Sequence, residues 1–412
     1  MANDFFLEND LKKAISIKNT FPIFKKHPSL RYLDNAATTH KPELVIKSLS
    51  DFYAFEYATV HRGVYSLSQD ATSNVEKVRL QVANFIGASQ AQSIVFVRGT
   101  TEAINLVADS FPKSFVQPGK DIVITAMEHH ANLVPWQQMC ENYDLNLKII
   151  PIAQDGALEL DHLDRYITSN TALLAFCHAS NILGTVNPLK KLIKRARDVG
   201  AKILVDGAQG PSHFKVDVTD LDCDFYCFSG HKLFGPTGIG ILYIKPDLLS
   251  QLAPYQLGGA MINQVTFKKT TYASSPARFE AGTPAIAEII GLGAAISFVE
   301  SLGYDFIERY ENALYAYFLS KIKDISDIQL YGTTMNKIAI CSFNFLDIHP
   351  HDAGTIFDSK NIALRVGHHC SQPLMDHYDV AAMSRVSFSI YNLPEDIDCF
   401  VDSLAYVKEV MT

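Results

Sequence analysis

Between about residues 90 and 245 the sequence repeats one pattern: a short apolar run, a loop of small or polar residues, then a helical stretch. The runs are Ile94 to Val97, Ile122 to Thr125, Leu173 to Phe176, Ile203 to Val205, Phe225 to Phe228 and Ile239 to Ile244. Alternation of this kind predicts crossover units and an α/β fold, a mostly parallel sheet covered by helices on both faces. In such sheets ligands sit at the carboxyl ends of the strands, so chemistry is expected in the polar residues that follow each run.

Beyond about residue 285 the texture changes. A long helical pattern from Ile286 to Lys323, short strands around Lys337 to Phe345 and a final helix from Glu395 predict a second, smaller α+β domain. An N-terminal helix from Asp4 to Asn19 is expected to join it. The division expected is a large domain over 27–295 and a small one over 1–26 and 296–412.

Composition narrows the function. A chain of 412 residues, 48% hydrophobic and 19% charged, is an ordinary globular composition with room for more than one core. Lys+Arg 36 against Asp+Glu 44 gives a net charge of −8, which disfavours a nucleic-acid partner. The acidic start has no apolar run suited to a signal peptide or a membrane span, so no membrane association and a cytoplasmic location are expected. The seven cysteines include no Cys-x-x-Cys, suggesting neither a disulfide framework nor a zinc ribbon.

Five strand ends carry candidate groups. Lys232, in Ser229-Gly230-His231-Lys232, is bracketed by apolar strands and small residues. Held against the sheet end, its amine would be desolvated and nucleophilic toward an aldehyde such as pyridoxal phosphate; the alternative is a solvated surface lysine. Asp206 ends AKILVD and can pair with a pyridinium nitrogen, or can serve as a turn acid. Gln209 can hydrogen-bond a ring phenolate. Gly99-Thr100-Thr101-Glu102 places hydroxyls and free amides at a helix start, a phosphate cup or simply a capped helix, with Ser229 and His231 able to add donors. His129 of His129-His130 can stack on a ring and manage a proton, and Asn181 can reach the ring or a substrate carboxylate.

The second domain offers Arg365-Val366-Gly367-His368-His369-Cys370-Ser371. A cysteine in such a loop suits a thiolate nucleophile; a metal site built on His368, His369 and Cys370 is the competing reading, disfavoured because adjacent side chains rarely converge on one ion. Arg365 or Arg385 can grip an α-carboxylate with paired hydrogen bonds. The basic helix LKKLIKRAR, Leu189 to Arg197, reads as a solvated face.

Taken together, YLDNAATTHKP, VHRG, FVRGTTEAINLVA, MEHHANLVPW, HASNILGT, VDGAQ, FSGHKLFGPTGIG, RFEAGTP and RVGHHC, in order from Tyr32 to Cys370, resemble the fold-type I, class-V-aminotransferase-like cysteine desulfurases. The resemblance is to the SUF-type (group II) members, which include selenocysteine lyases. It implies Lys232 as the Schiff-base lysine, Asp206 on the pyridinium, Gln209 on the phenolate and His129 stacked on the ring. It further implies Thr101, Ser229 and His231, with Thr100 in the same cup, as phosphate ligands, and Thr283 lent to the other subunit of a homodimer with shared active sites. His61 and Asn181 would line the substrate site and Arg385 would hold the carboxylate, with Arg365 a second arginine.

The reaction implied converts L-cysteine to L-alanine, leaving a persulfide on Cys370 that passes to an acceptor protein for iron–sulfur cluster assembly. The short RVGHHC loop implies an acceptor that stimulates turnover. Two departures stand out: Ser371 where the family usually has alanine, and Leu257 to Ile262 in place of a more glycine-rich stretch. The rival readings are a selenocysteine lyase and a non-catalytic metal- or sulfur-binding protein.

Overall fold

The computed structural model describes residues 4–411; residues 1–3 of the expected small-domain segment, and Thr412, lie outside the described residues. The apolar runs form six strands of a seven-stranded sheet: β1 (Ile94–Val97), β2 (Asp121–Thr125), β4 (Thr171–Cys177), β5 (Lys202–Asp206), β6 (Phe225–Ser229) and β7 (Gly240–Ile244). The seventh is β3 (Asn146–Ile150). Their spatial order is β1-β7-β6-β5-β4-β2-β3. Every neighbouring pair is parallel except those of β7, which runs antiparallel to β1 and β6.

Strands β1, β2, β6 and β7 are buried along their whole length, which is why they read as unbroken apolar runs. Edge strand β3, Asn-Leu-Lys-Ile-Ile, leaves Asn146 and Ile149 exposed and carries no such run. The apolar pattern therefore misses it.

The helical run expected over Ile286–Lys323 is two helices, Ile286–Leu302 and Tyr304–Ile322, bent by 77° at the break. Gly303 between them takes φ 79°, a conformation that side chains resist and a continuous helix does not use. The first helix packs on Glu43–Asp51 and Ser66–Phe85 beside the large sheet, the second on the C-terminal helix Pro394–Met411. No single helix among the described residues is long and apolar enough to cross a membrane.

A four-stranded antiparallel sheet, ordered Ile328–Tyr331, Ile340–Phe345, Met383–Ser387, Arg365–Gly367, forms the smaller layer. The N-terminal helix spans Glu8–Lys18 and is pinned to this region by Asp10–Arg309 at 2.8 Å and Lys18–Asp396 at 3.1 Å. Residues 31–36, expected in the large domain, also lean this way. Arg31-Tyr32 pairs in parallel with Ile362-Ala363, and Asn35 Nδ2 donates to the Ser387 carbonyl at 2.6 Å. The strap then returns to the large sheet, where the Ala36 carbonyl accepts from Gln209 Nε2 at 2.6 Å.

Candidate active site

The carboxyl ends of β1, β2, β4, β5 and β6 open into one cavity of about 200 Å³. Its lining brings together Thr100, Thr101, His129, Asn181, Asp206, Gln209, Ser229, His231 and Lys232 from the large sheet with Arg365, Cys370 and Arg385 from the small one.

Lys232 ends the short turn Gly230–Lys232 that follows β6. Burial pulls its pKa down to about 8, against Asp206 and with help from Arg385 and Arg365. The peptide before it is clamped: the His231 carbonyl receives Thr38 Oγ1 at 3.0 Å, the Thr39 amide at 3.1 Å and Lys41 Nζ at 2.9 Å. These three residues were not singled out in the sequence, although they lie within the YLDNAATTHKP stretch.

Asp206 is buried at the end of β5. Its Oδ1 accepts the Ala208 amide at 2.9 Å. Burial raises its pKa, opposed by the Ala208 amide and Lys232. Beside it, one Gln209 amide hydrogen goes to the Ala36 carbonyl, leaving the other for a ligand.

His129 Nδ1 accepts the Ala131 amide at 3.0 Å, which assigns the proton of the neutral ring to Nε2. Burial first, then Lys232, lowers its pKa to about 4, so the ring is neutral near pH 7. The loop is anchored by the buried Glu128, whose carboxylate accepts Thr125 Oγ1 at 2.5 Å, Asn132 Nδ2 at 2.6 Å and the Cys177 amide at 3.1 Å. Trp136 Nε1 donates in turn to Asn132 Oδ1 at 2.8 Å. Burial pushes the Glu128 carboxyl up to about 7. The sequence reading passed over Glu128, which is one acid in a histidine-rich stretch.

At the β1 end, helix Thr100–Ser110 starts with the Thr100 amide and hydroxyl on Ser229 Oγ, at 2.9 and 2.8 Å. A Cβ on Gly240 would come within 2.5 Å of Gly99 Cα, so backbone closes tightly around the cup.

Arg385, on Met383–Ser387, is 2% exposed. Its Nη1 donates to the Asn181 carbonyl at 2.8 Å and its Nη2 pairs with Asp34 Oδ1 at 2.7 Å, while Nε is buried without a partner. Asp34 Oδ2 also takes Arg365 Nε at 3.0 Å. One carboxylate thus sets both arginines, and it too was missed because an Asp in a strap has no local signature.

Cys370 is exposed at the cavity rim. His369 and Cys370 take φ 51° and 58°, left-handed values that cost on the order of 1 kcal/mol or more each. Asn181 Nδ2 offsets part of this by donating to the His369 carbonyl at 3.0 Å. The His369 ring faces elsewhere: Nε2 donates to the Met383 carbonyl at 2.8 Å, and burial, then Arg385, lowers its pKa to about 3. His369 is therefore neutral and is not the positive neighbour that a thiolate needs. Among the described residues no group of three His, Cys, Asp or Glu is placed to hold a metal.

His61 and Thr283 lie outside this cavity, Thr283 having been expected at the other subunit's site. His61 was expected to line the substrate site, but within its own chain it does not. Its loop takes φ 72°, is tied by the His61 amide to Thr72 Oγ1 at 2.8 Å, and borders a separate cavity of about 530 Å³ with Ala260 and Thr283.

The model for class-V aminotransferases matches residues 31–400. The chain belongs to that family. Its full-length relatives include the cysteine desulfurase of Pectobacterium carotovorum subsp. carotovorum (strain PC1), 48% identical over 96% of this chain and 98% of the relative. The solved cysteine desulfurase CsdA from Escherichia coli superposes with a TM-score of 0.90 at 36% identity, covering 96% and 98% of the two chains. The apo cysteine desulfurase of Thermococcus onnurineus NA1 superposes with a TM-score of 0.92, also at 36% identity and the same coverage.

Proposed function

We propose that this protein is a pyridoxal-phosphate-dependent cysteine desulfurase that releases L-alanine from L-cysteine and retains the sulfur as a persulfide on Cys370. The observation that carries this reading is that Lys232 and Cys370, from different sheets, open onto the same cavity.

The cavity suits the cofactor. Lys232 offers an amine of lowered pKa and Asp206 a buried carboxylate with one oxygen free of chain partners. Thr100, Thr101, Ser229 and His231 form the phosphate end, Gln209 the phenolate side and His129 the ring face. When bound, pyridoxal phosphate supplies an electron sink for the substrate's α-carbon.

The chain's own residues do the rest. Arg385, fixed by Asp34 and lining the cavity, receives the carboxylate, with Arg365 at the rim and Asn181 beside it. The freed Lys232 amine takes the α-proton. Cys370 Sγ, as thiolate, forms a bond to the substrate sulfur as the carbon–sulfur bond breaks; that electron pair goes to the β-carbon, and protonation there, together with return of a proton from Lys232 to the α-carbon, yields alanine. Neutral His129, with Nδ1 occupied by the Ala131 amide and its proton on Nε2, acts as a proton donor to the substrate. The sulfane sulfur then passes to a thiol of an acceptor protein, which the short Cys370 loop requires to come to the enzyme.

Of the two arrangements known for such loops, the compact Arg365 to Cys370 segment supports the SUF-type (group II) reading and a role in iron–sulfur cluster assembly. A homodimer fits the surface: Tyr53, Phe55 and Val64 are 57%, 77% and 92% exposed near His61 in sequence. We assign His61 and Thr283, which share one cavity, to the partner subunit's site. We divide the chain into a large domain, 27–295 and onward to the Gly303 break, and a small domain of 1–26 and the remainder, bridged by the 31–36 strap. Seven unpaired cysteines support a cytoplasmic location.

The test is to load the protein with pyridoxal phosphate, add L-cysteine and follow alanine together with the mass of the peptide carrying Cys370. Stoichiometric alanine and the gain of one sulfur on that peptide are expected, with turnover rising on addition of an acceptor thiol. A colourless protein that makes no alanine would overturn the proposal. Comparing alanine release from L-selenocysteine tests for selenocysteine lyase activity.

Two further outcomes follow from the site. Removing the Asp34 carboxylate leaves buried Arg385 without its charged partner, an interaction worth about 1.5–3 kcal/mol. Asp34→Ala is therefore expected to raise the KM for L-cysteine by roughly 10- to 100-fold while the bound cofactor still colours the protein. The second concerns pH. Lys232 is protonated below about 8 and neutral above it. Capture of pyridoxal phosphate by the apoprotein, read as growth of visible absorption, should accelerate with rising pH and level off near 8, well below the 10.5 of an ordinary lysine.

A further inference from the structure

We propose that Ser371 is a positioning residue whose hydroxyl latches the Cys370 loop to the His129 loop, so that nucleophile and imidazole hold a fixed relation. Three successive residues of the loop each reach the same short stretch. The Cys370 carbonyl accepts the His130 amide at 2.6 Å, Ser371 Oγ donates to the Glu128 carbonyl at 2.5 Å, and the Gln372 amide donates to His130 Nε2 at 2.9 Å.

Of these, only the Ser371 bond is made by a loop side chain that is wholly buried, with 0% exposure. The Glu128 end is immobile, because its carboxylate is already held by Thr125, Asn132 and the Cys177 amide. On the other side, His369 and Cys370 sit in left-handed backbone that the loop would leave if released. A hydroxyl bond between a strained segment and a rigid one acts as a catch: it keeps Cys370 at the rim of the cavity and opposes relaxation of the loop away from His129. An alanine at 371 keeps the packing volume close to that of serine and deletes only the catch.

The inference uses the functional reading above for its consequence but not for its geometry, and the test separates them. Amide hydrogen exchange is measured on the full-length, cofactor-loaded protein as wild type and as Ser371→Ala, with steady-state kinetics on the same samples. The expected result is exchange at Ser371 and Gln372 faster by about tenfold or more, confined to residues 366–373, with kcat for alanine release reduced about tenfold and the KM for L-cysteine unchanged. Unaltered exchange in that segment would overturn the proposal whatever the kinetics. Acceleration spread over the whole chain would also overturn it, since Ser371 would then be a general packing residue. Faster local exchange in a protein that does not desulfurate cysteine would sustain the latch and sink the activity.

Discussion

Cys370→Ala is expected to abolish sulfur transfer from L-cysteine, lowering alanine release by about a thousandfold or more, while the protein keeps its visible absorption. Cys370 contributes neither to the cofactor's end of the cavity nor to a buried core, so its loss removes the attacking sulfur and little else. Losing a covalent nucleophile is among the largest effects a single residue can have on rate. Absorption spectra and alanine assays on one preparation check this directly. If cysteine is still split at the wild-type rate, the persulfide route is wrong. With L-selenocysteine, release without Cys370 would show elimination that needs no attacking thiol.

Lys232→Ala should give a different loss: no covalent cofactor, no visible band of the wild-type kind, and alanine formation reduced by at least about a thousandfold. Here two functions go together, the imine link and the base that takes the α-proton. Acid quenching followed by separation of protein from small molecules tests the link, because the variant releases all its cofactor after borohydride treatment whereas the wild type retains it. A variant that retains it would place the link elsewhere. Reading both variants together separates the lysine's carbonyl chemistry from the cysteine's sulfur chemistry.

The large sheet was legible because strands buried on both faces have no choice but to be apolar, and six of seven appear as runs. Strand β3 was not, since Asn146 and Ile149 face solvent and no unbroken apolar run marks it. The break at Gly303 hides inside a helical pattern because both halves bury apolar faces, against different neighbours.

Strand-end residues such as Lys232, Asp206 and His129 could be named from their place after each run, and the structure gathers them into one cavity. What escaped were residues whose importance comes from distant partners. Asp34 matters through Arg365 and Arg385, 331 and 351 positions away. Glu128 matters through Cys177 and Ser371. His61, expected to line the substrate site, borders a cavity shared with Thr283 and apart from Lys232.

The strap at residues 31–41 has a consequence for how the molecule is made. Its partners are Ile362-Ala363, Ser387 and the His231 carbonyl, and the Asn35–Ser387 bond spans 352 positions. The strap can meet His231 once the large sheet is made, but its bond to Ser387 must wait for 352 further residues. The large sheet can condense during translation, but the pocket is completed only when the last strand arrives. A chain truncated before Ser387 would thus hold most of its core and none of a finished site.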